Sequence, residues 1–599
     1  MRGGFRMLCA GRGGACRAVL AVLSGLLACG PSGRDLRIEP AAAIHRLGPV
    51  GEVMKIDGVS KTALGPPSAG PVRIEIRRLP PSRIWIAAAR PGGGAAQCSA
   101  RLDALDLSSK LVASFELPDT ARWIDAVADL PAVEDASLTL ACDVNPPDSS
   151  PIVWARLLAI PRDVDPAPPL LVLLSIDTLR ADHVTGFGGP SGATPGLERL
   201  GAEGMRFVGA TSEATWTLPS HYALLVSKLH DFANEPGFQD SLAATLADAG
   251  FATVAVTGGC WVAATFFQPG FDHYSENACK GENDLAWVLE RSDAWIDRLS
   301  EVPAFLFLHT YAVHETPPAF REWFLKHGPF DVFDPTTEQV EQDLEFYRQL
   351  VHRTDADLAA LLDRLRRAAE DRPVLVVVVS DHGQAFDEHD NYGHGVAHAS
   401  VTLHDEIVRV PFIVWGPGLV PPGRTSARPV GLTDVAPSIL AAAGIAAPPD
   451  MRGADLWPLW TGASDSASGL AGGVAHIDAS WALRDETHKL IVQNKPEGDT
   501  FQLYEISTDP DERLDRAAQE PDRVRESARL LLRRIAWLGG LPEPAADGPL
   551  VFPRADCRAP EHSSECESER ARAGAILRNA DSETREQLRA LGYLADPPD

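Results

Sequence analysis

Apolar and polar positions follow two different rhythms along this chain, and the change of rhythm divides it. From Val72 the period is two: Val72, Ile74 and Ile76, then Ile84 and Ile86, then Leu111, Ala113 and Phe115, then Leu138 and Leu140. Short alternating runs parted by Pro, Gly and Asp turns predict an all-β sandwich, assigned to residues 36–160. A proline-rich linker at 161–169 follows. Residues 170–174 are then five consecutive aliphatics, the continuity of a strand buried on both faces of a parallel sheet. A second run, PVLVVVVS at 373–380, repeats the device. Between them lie a helix with Leu197 and Leu200, a short strand at 205–208, and a helix at 242–249 closed by Gly250. Further strands fall at 251–256 and 304–308. Strand and helix alternate throughout, so an α/β domain with a mostly parallel sheet flanked by helices is expected over 168–460. Beyond a Ser/Ala/Gly-rich stretch at 462–473, residues 483–492 and 500–506 read as hairpin strands. Val524, Ala528, Leu531, Ile535 and Leu538 form a helical stripe that would cover them. Together they predict a small α+β C-terminal subdomain within 474–599.

The first 35 residues change the picture of where the chain works. Arg2, Arg6, Arg12 and Arg17 precede an apolar run at 18–28, with no acidic residue before Asp35. This is the layout of a secretory signal peptide, too short to span a bilayer for good. It ends Leu26-Leu27-Ala28-Cys29, which resembles the bacterial lipobox and would make Cys29 a lipidated mature N-terminus. Residues 1–29 are therefore read as leader, and the chain as exported to the cell envelope, with Cys29 its sole membrane attachment. Cleavage with release is the alternative. Nine cysteines occur, and Cys9, Cys16 and Cys29 belong to the leader. The remaining six fall into sequence neighbours, Cys98 with Cys142, Cys260 with Cys279 and Cys557 with Cys566, and an even number in an exported chain reads as disulfides. Six cysteines allow about fifteen connectivities, so these pairs are one choice among many.

The net charge of −27, from 82 acidic and 55 basic residues, excludes nucleic acid or an anionic membrane surface as a charge-driven partner. An anionic substrate would need local help from a metal or a few placed cations. Both buried strands supply an acidic residue where such a metal could sit. Asp177 ends the first, in Ser175-Ile176-Asp177-Thr178-Leu179-Arg180-Ala181-Asp182, and Asp381 ends the second, in Ser380-Asp381-His382-Gly383. Open α/β sheets bind ligands beyond the carboxyl ends of their strands. A strand-end Asp can merely cap the next helix; two of them suggest one metal site.

Between the two lies Thr215-Trp216-Thr217-Leu218-Pro219-Ser220-His221, with Lys228 after it, and Gly393-His394-Gly395 and Arg409-Val410-Pro411-Phe412 come later. In order and spacing these resemble the sulfatase branch of the alkaline phosphatase superfamily. The resemblance covers roughly residues 170–458, and the run Phe501-Gln502-Leu503-Tyr504-Glu505-Ile506-Ser507-Thr508-Asp509-Pro510 is similar to the closing subdomain of that family.

The resemblance implies an alkaline-phosphatase-like core and a metal-dependent hydrolase of sulfate or phosphate/phosphonate esters. Thr217 falls at the position of the family nucleophile, in a motif that usually reads Cys or Ser, x, Pro, Ser, Arg. Threonine is not a known precursor of the formylglycine that sulfatases use, and His221 replaces the motif's arginine. Thr217 as a plain helix cap is the alternative. The implied metal set is Asp177, Thr217, Asp381 and His382. Thr178 replaces a second acid and His382 stands where Asn is common, which shifts the preference from calcium toward manganese or zinc. His314 matches the histidine that contacts the ester, and His394 would contact the transferred group or protonate the leaving oxygen. His221 and Lys228 are the implied substrate-binding residues, with a structural role at the helix end as the equal alternative for Lys228; His309 reads as structural. Where many sulfatases carry Gly-Lys-Trp-His, this chain has Gly258-Gly259-Cys260-Trp261. The substrate would be an anionic ester, with a glycan or lipid headgroup as its alcohol. The alternatives are a phospho-group transferase on envelope glycans or lipids, and an inactive binding protein. In the sandwich, Trp85 and Trp123 could line a sugar platform, with core packing as the other reading.

Overall fold

Five parallel strands are buried from end to end because both of their faces are covered. The computed structural model describes residues 45–47, 53–56, 59–64, 71–104, 107–144, 151–162, 168–230, 238–259, 261–277, 284–327, 333–394, 402–464, 473–477, 480–495, 498–539, 544, 550 and 552. The leader, Cys29, and the cysteines at 260, 279, 557 and 566 lie outside the described residues. Across the sheet the parallel strands stand in the order His273–Glu276, Ala252–Thr257, Ala304–Thr310, Leu170–Ile176, Val374–Ser380. Phe412–Trp415 continues it antiparallel, followed by Met205–Phe207 and Arg424–Ser426.

Side chains alternate between the two faces, as a strand's period of two requires. Leu171, Leu173, Phe305, Phe307, Leu375 and Val377 enter one core. Val172, Leu174, Leu306, Leu308, Val376 and Val378 enter the other. Helix Thr337–Asp371 covers the second face, and its start is held by a reciprocal cap between Thr336 and Gln339. At the end of the sheet where these strands begin, the buried Arg372 guanidinium donates to the carbonyls of Pro168, Pro169, Leu299 and Val302. One side chain thus gathers the approaches to three neighbouring strands.

The period-two region folds as two packed antiparallel sheets. One holds Val72–Leu79, Val133–Val144, Ala96–Ala104 and Leu107–Leu117. The other is built around Ser82–Ala89, with His45–Leu47, Ile124–Leu130, Val153–Trp154 and Leu157–Pro161. Their inner faces, among them Ile74, Ile76, Ile84, Ile86, Leu138 and Leu140, share one core. Cys98 and Cys142 face each other across adjacent strands and are joined. Closing a segment of 44 residues, this bond removes loop entropy from the unfolded chain. The loop-closure estimate is ~4 kcal/mol.

Three features depart from the sequence expectation. The strands Val53–Ile56 and Val59–Thr62 fall within the stretch assigned to the sandwich, yet they extend the central sheet, with Val59 and Ser60 pairing antiparallel to Ser275 and Tyr274. Trp85 and Trp123 form no platform. Trp85 lies against Trp295 of a covering helix, with ring centres 6.0 Å apart, and Trp123 donates its indole N–H to Val59 O at 3.1 Å. Both rings hold the sandwich to the sheet. Finally, the C-terminal subdomain has four strands, Gly473–Ile477, Ser480–Arg484, Lys489–Gln493 and Thr500–Tyr504. The Asp485 carboxylate accepts the N–H groups of Thr487 and His488, turning the chain inside what reads as one strand. Helix Pro521–Leu538 lays Val524, Ala528, Leu531, Ile535 and Leu538 on that sheet, as its stripe requires. Among the described residues no helix is long and apolar enough to cross a membrane.

Candidate active site

Register alone brings the two aspartates together. Leu170 pairs with Val374 and Ile176 with Ser380, so Asp177 and Asp381 leave adjacent parallel strands at the same height. On the other side Ser175 pairs with His309 and Ile176 with Thr310, which sets His309 beside them. Both carboxylates are fully buried. The chain after Asp177 turns sharply, with Thr178 in the left-handed region at φ 56°. Tyr347 of the long helix holds that turn: its hydroxyl donates to Thr178 O at 2.7 Å and accepts from Arg180 N at 2.9 Å. Asp381 Oδ1 accepts from the N–H groups of Thr178 and His382, at 3.2 and 2.8 Å, while its Oδ2 accepts no hydrogen bond. Burial, and then the neighbouring Asp177 charge, push the Asp381 carboxyl well above the usual carboxylate range.

Thr217 meets this pair from the first position of helix Thr217–Val226. Trp216 is the cap residue, and its side chain makes no cap bond. The Thr217 hydroxyl does not cap either; it donates to Asp177 Oδ2 at 3.1 Å and lies 3.4 Å from His382 Nε2. The reading of Thr217 as a plain helix cap is therefore set aside. The amide groups of the first helical turn add positive potential beside that hydroxyl.

The ring protons follow from the carbonyls each histidine faces. His382 Nδ1 donates to Gly383 O at 2.9 Å, so Nε2 presents a lone pair 3.4 Å from Asp381 Oδ2 and 3.8 Å from Asp177 Oδ1. Burial lowers His382 to about 3, which keeps that ring neutral. His309 Nδ1 donates to Gly258 O at 2.9 Å, and its Nε2 lies 3.4 Å from Asp177 Oδ2. Two carboxylates and the lone pairs of two imidazole nitrogens thus converge at the centre. An orphaned buried oxygen on Asp381 completes the picture of a cation site, and Asp177, Asp381, His382 and Thr217 fit one. The sequence reading missed His309. A histidine at a strand end carries no sign of its direction until the register with the neighbouring strand is known.

His314 and His394 also arrive here. Their Nε2 atoms are 3.2 Å apart, the His394 ring lies 4.5 Å from that of His382, and His394 Nδ1 bonds to Gln384 Oε1. Burial lowers His314 to about 4.

Two expected substrate-binding residues are corrected. His221 is fully buried: Nδ1 donates to Thr217 O at 2.8 Å and Nε2 accepts from Ser175 Oγ at 3.0 Å. Both nitrogens are engaged inside the protein, so His221 ties the first turn of the helix to the central strand and does not face substrate. Lys228 lies beyond the opposite end of that helix, paired with Asp450 at 3.1 Å. Ten helical residues rise about 15 Å, out of reach of the hydroxyl at the start. The lysine missing from the family run has a steric reason. Gly259 adopts φ +76° against the Tyr311 ring, and a Cβ there would stand 2.2 Å from ring carbons.

The sulfatase family model matches residues 169–445, and that of the N-sulphoglucosamine sulphohydrolase C-terminal region matches 394–531. Arylsulfatase K of Xenopus laevis is 26% identical over 211 residues, which are 33% of this chain and 38% of the relative. The Mus musculus protein of the same name is 25% identical over 267 residues, 42% of this chain and 45% of the relative. The match thus spans 38% and 45% of the length of these curated relatives. Among solved structures, a candidate sulfatase of Bacteroides fragilis, yidJ, superposes with a TM-score of 0.50 at 17% identity, over 64% of this chain and 98% of the other.

Proposed function

Residues 169–445 are a sulfatase-family domain of the alkaline phosphatase superfamily, and from that premise we propose that the chain is a metal-dependent ester hydrolase with Thr217 as nucleophile. The observation that carries this reading is the Thr217 hydroxyl bonded to Asp177 within a buried two-carboxylate site. A divalent metal held by Asp177, Asp381, His382 and Thr217 would supply Lewis-acid polarisation of the ester and acidify the hydroxyl. The imidazole and threonine donors favour manganese or zinc over calcium.

The steps for the chain's own residues balance as follows. Thr217 Oγ1 attacks the central sulfur or phosphorus, its proton passing to the oxygen of Asp177 to which it is already bonded. The ester bond to the alcohol breaks, and the alcohol leaves with a proton from His394. Water then attacks the same centre, gives its proton back to His394, and frees Thr217 with recovery of its own proton. A threonine ester lacks the aldehyde hydrate through which formylglycine expels sulfate, so release depends on attack at the central atom. That requirement favours phosphate or phosphonate esters over sulfates. The name of the matched relatives favours sulfate, and the N-sulphoglucosamine sulphohydrolase C-terminal model favours an amino-sugar sulfate. The arginine-rich leader and Cys29 support a place in the cell envelope, with a glycan or lipid headgroup as the alcohol.

The test is hydrolysis of an aryl sulfate, an aryl phosphate monoester, a diester and an aryl phosphonate, each with calcium, manganese or zinc. Turnover of a phosphorus ester with manganese or zinc is the expected result. No turnover of any ester with any of these metals would sink the reading.

A further inference from the structure

At the opposite end of the strand that leads to the candidate active site, the sandwich and the central sheet enclose a second, unassigned cavity. Strand Ala252–Thr257 contributes its first half here, Ala252 and Val254, and its far end lies beside His309. The intervening rise is on the order of 15 Å. The cavity measures about 30 Å³, and its working residues are Lys61, Trp85, Arg156, His273 and Trp295.

Of the three cations around it, two are paired directly with a carboxylate and one is not. Arg46 grips Asp272 through two hydrogen bonds, at 2.8 and 2.6 Å, and Lys61 pairs with Asp125 at 2.7 Å. Arg156 forms no ion pair with either aspartate, and its buried Nε makes no hydrogen bond. Burial, and then the Arg46 charge, lower its guanidinium below the ordinary value against the opposing pull of Asp272 and Asp248. His273 is only 8% exposed; its Nε2 bonds to Ser275 Oγ at 2.6 Å, and its buried Nδ1 has no hydrogen-bond partner. Burial, then Lys61, Arg298 and Arg291, hold that ring neutral. The Trp295 ring backs it at 4.5 Å, and Trp85 stands 6.0 Å from Trp295. An orphaned guanidinium N–H and an orphaned imidazole nitrogen in one small cavity are costly to leave unmet, since each gave up water on folding.

We propose that this interdomain cavity binds a small oxyanion, free or at the end of a sugar, between Arg156, Lys61 and His273. The guanidinium and ammonium supply charge-assisted donors, and the imidazole a neutral hydrogen bond. This site is separate from the Thr217 centre and stands whether or not that centre is catalytic.

Tryptophan fluorescence of the full chain, titrated with sodium sulfate or sodium glucuronate against sodium chloride at matched ionic strength, tests it. A saturable change is expected in the wild type and in Asp381→Asn, with at least a tenfold loss of affinity in Arg156→Gln. Sulfate alone saturating would identify a free oxyanion; glucuronate binding more tightly would identify a sugar-borne one. Hydrogen exchange of the wild type needs no variant and should slow in Ala252–Thr257 and His273–Glu276 when the bound anion is present. No saturable change with either anion overturns the proposal. So does equal affinity in Arg156→Gln, or a signal that vanishes in Asp381→Asn.

Discussion

Thr217→Ala is expected to lower kcat/KM by ~10³-fold or more while the protein stays folded. The hydroxyl is the only part of that side chain directed at Asp177 and His382, and no backbone cap depends on it. Its loss would remove the atom proposed to take the ester group, whereas the cost to folding should stay near ~1 kcal/mol. Thr217→Ser keeps the oxygen and gives up the methyl that fixes its rotamer, so part of the activity should return. Acid quench during turnover, followed by peptide mass measurement, should find the transferred group on residue 217. Undiminished turnover in Thr217→Ala would falsify covalent catalysis and leave direct attack by water.

Asp381→Asn should move activity and stability in opposite directions. Two fully buried carboxylates lie side by side, and burial together with the Asp177 charge disfavours ionisation of Asp381. Asparagine keeps an oxygen for the N–H groups of Thr178 and His382. It places an amide N–H₂ where the carboxylate had an oxygen without a hydrogen bond, toward the lone pair of His382. Metal-free Asp381→Asn is therefore expected to be more stable than metal-free wild type, by about 1–3 kcal/mol. Added manganese or zinc should raise the melting temperature of the wild type by mass action and leave that of the variant nearly unchanged. Turnover by the variant should fall by ~10²-fold or more. Thermal melts with and without metal decide the matter: a variant less stable than the wild type under chelation would mean that Asp381 is held by something other than a cation.

Much of this arrangement was legible before any coordinates. Uninterrupted aliphatic runs at 170–174 and 374–379 can only be strands covered on both sides, and such strands lead to Asp177 and Asp381. Helical spacing from Val524 to Leu538 announced its buried face for the same reason, because local periodicity is a local property. What escaped depends on pairing between distant segments. His309 reads as one more polar residue at a strand end until its register with Ser175 turns it toward Asp177. His221 and Lys228 sit at matching motif positions, yet one is drawn inward by Ser175 and the other outward by Asp450. Side-chain direction is settled by partners that no motif contains. The turn at Asp485 was missed because one strand was drawn through the polar residues 484–489, whose carboxylate bonds its own backbone.

The hairpin Val53–Thr62 makes the boundary near residue 160 a boundary of sequence only. It caps the edge of His273–Glu276, and Lys55 of the same hairpin forms an ion pair with the buried Glu276. A polypeptide begun at residue 168 would keep every residue proposed for chemistry and still lack its outermost two strands. Its bared edge would offer unpaired N–H and C=O groups to the next molecule, the usual route to strand-by-strand association. Trimming this chain to its sulfatase-family half should thus produce insoluble material with an intact candidate site, because the amino-terminal segment is a piece of the same sheet.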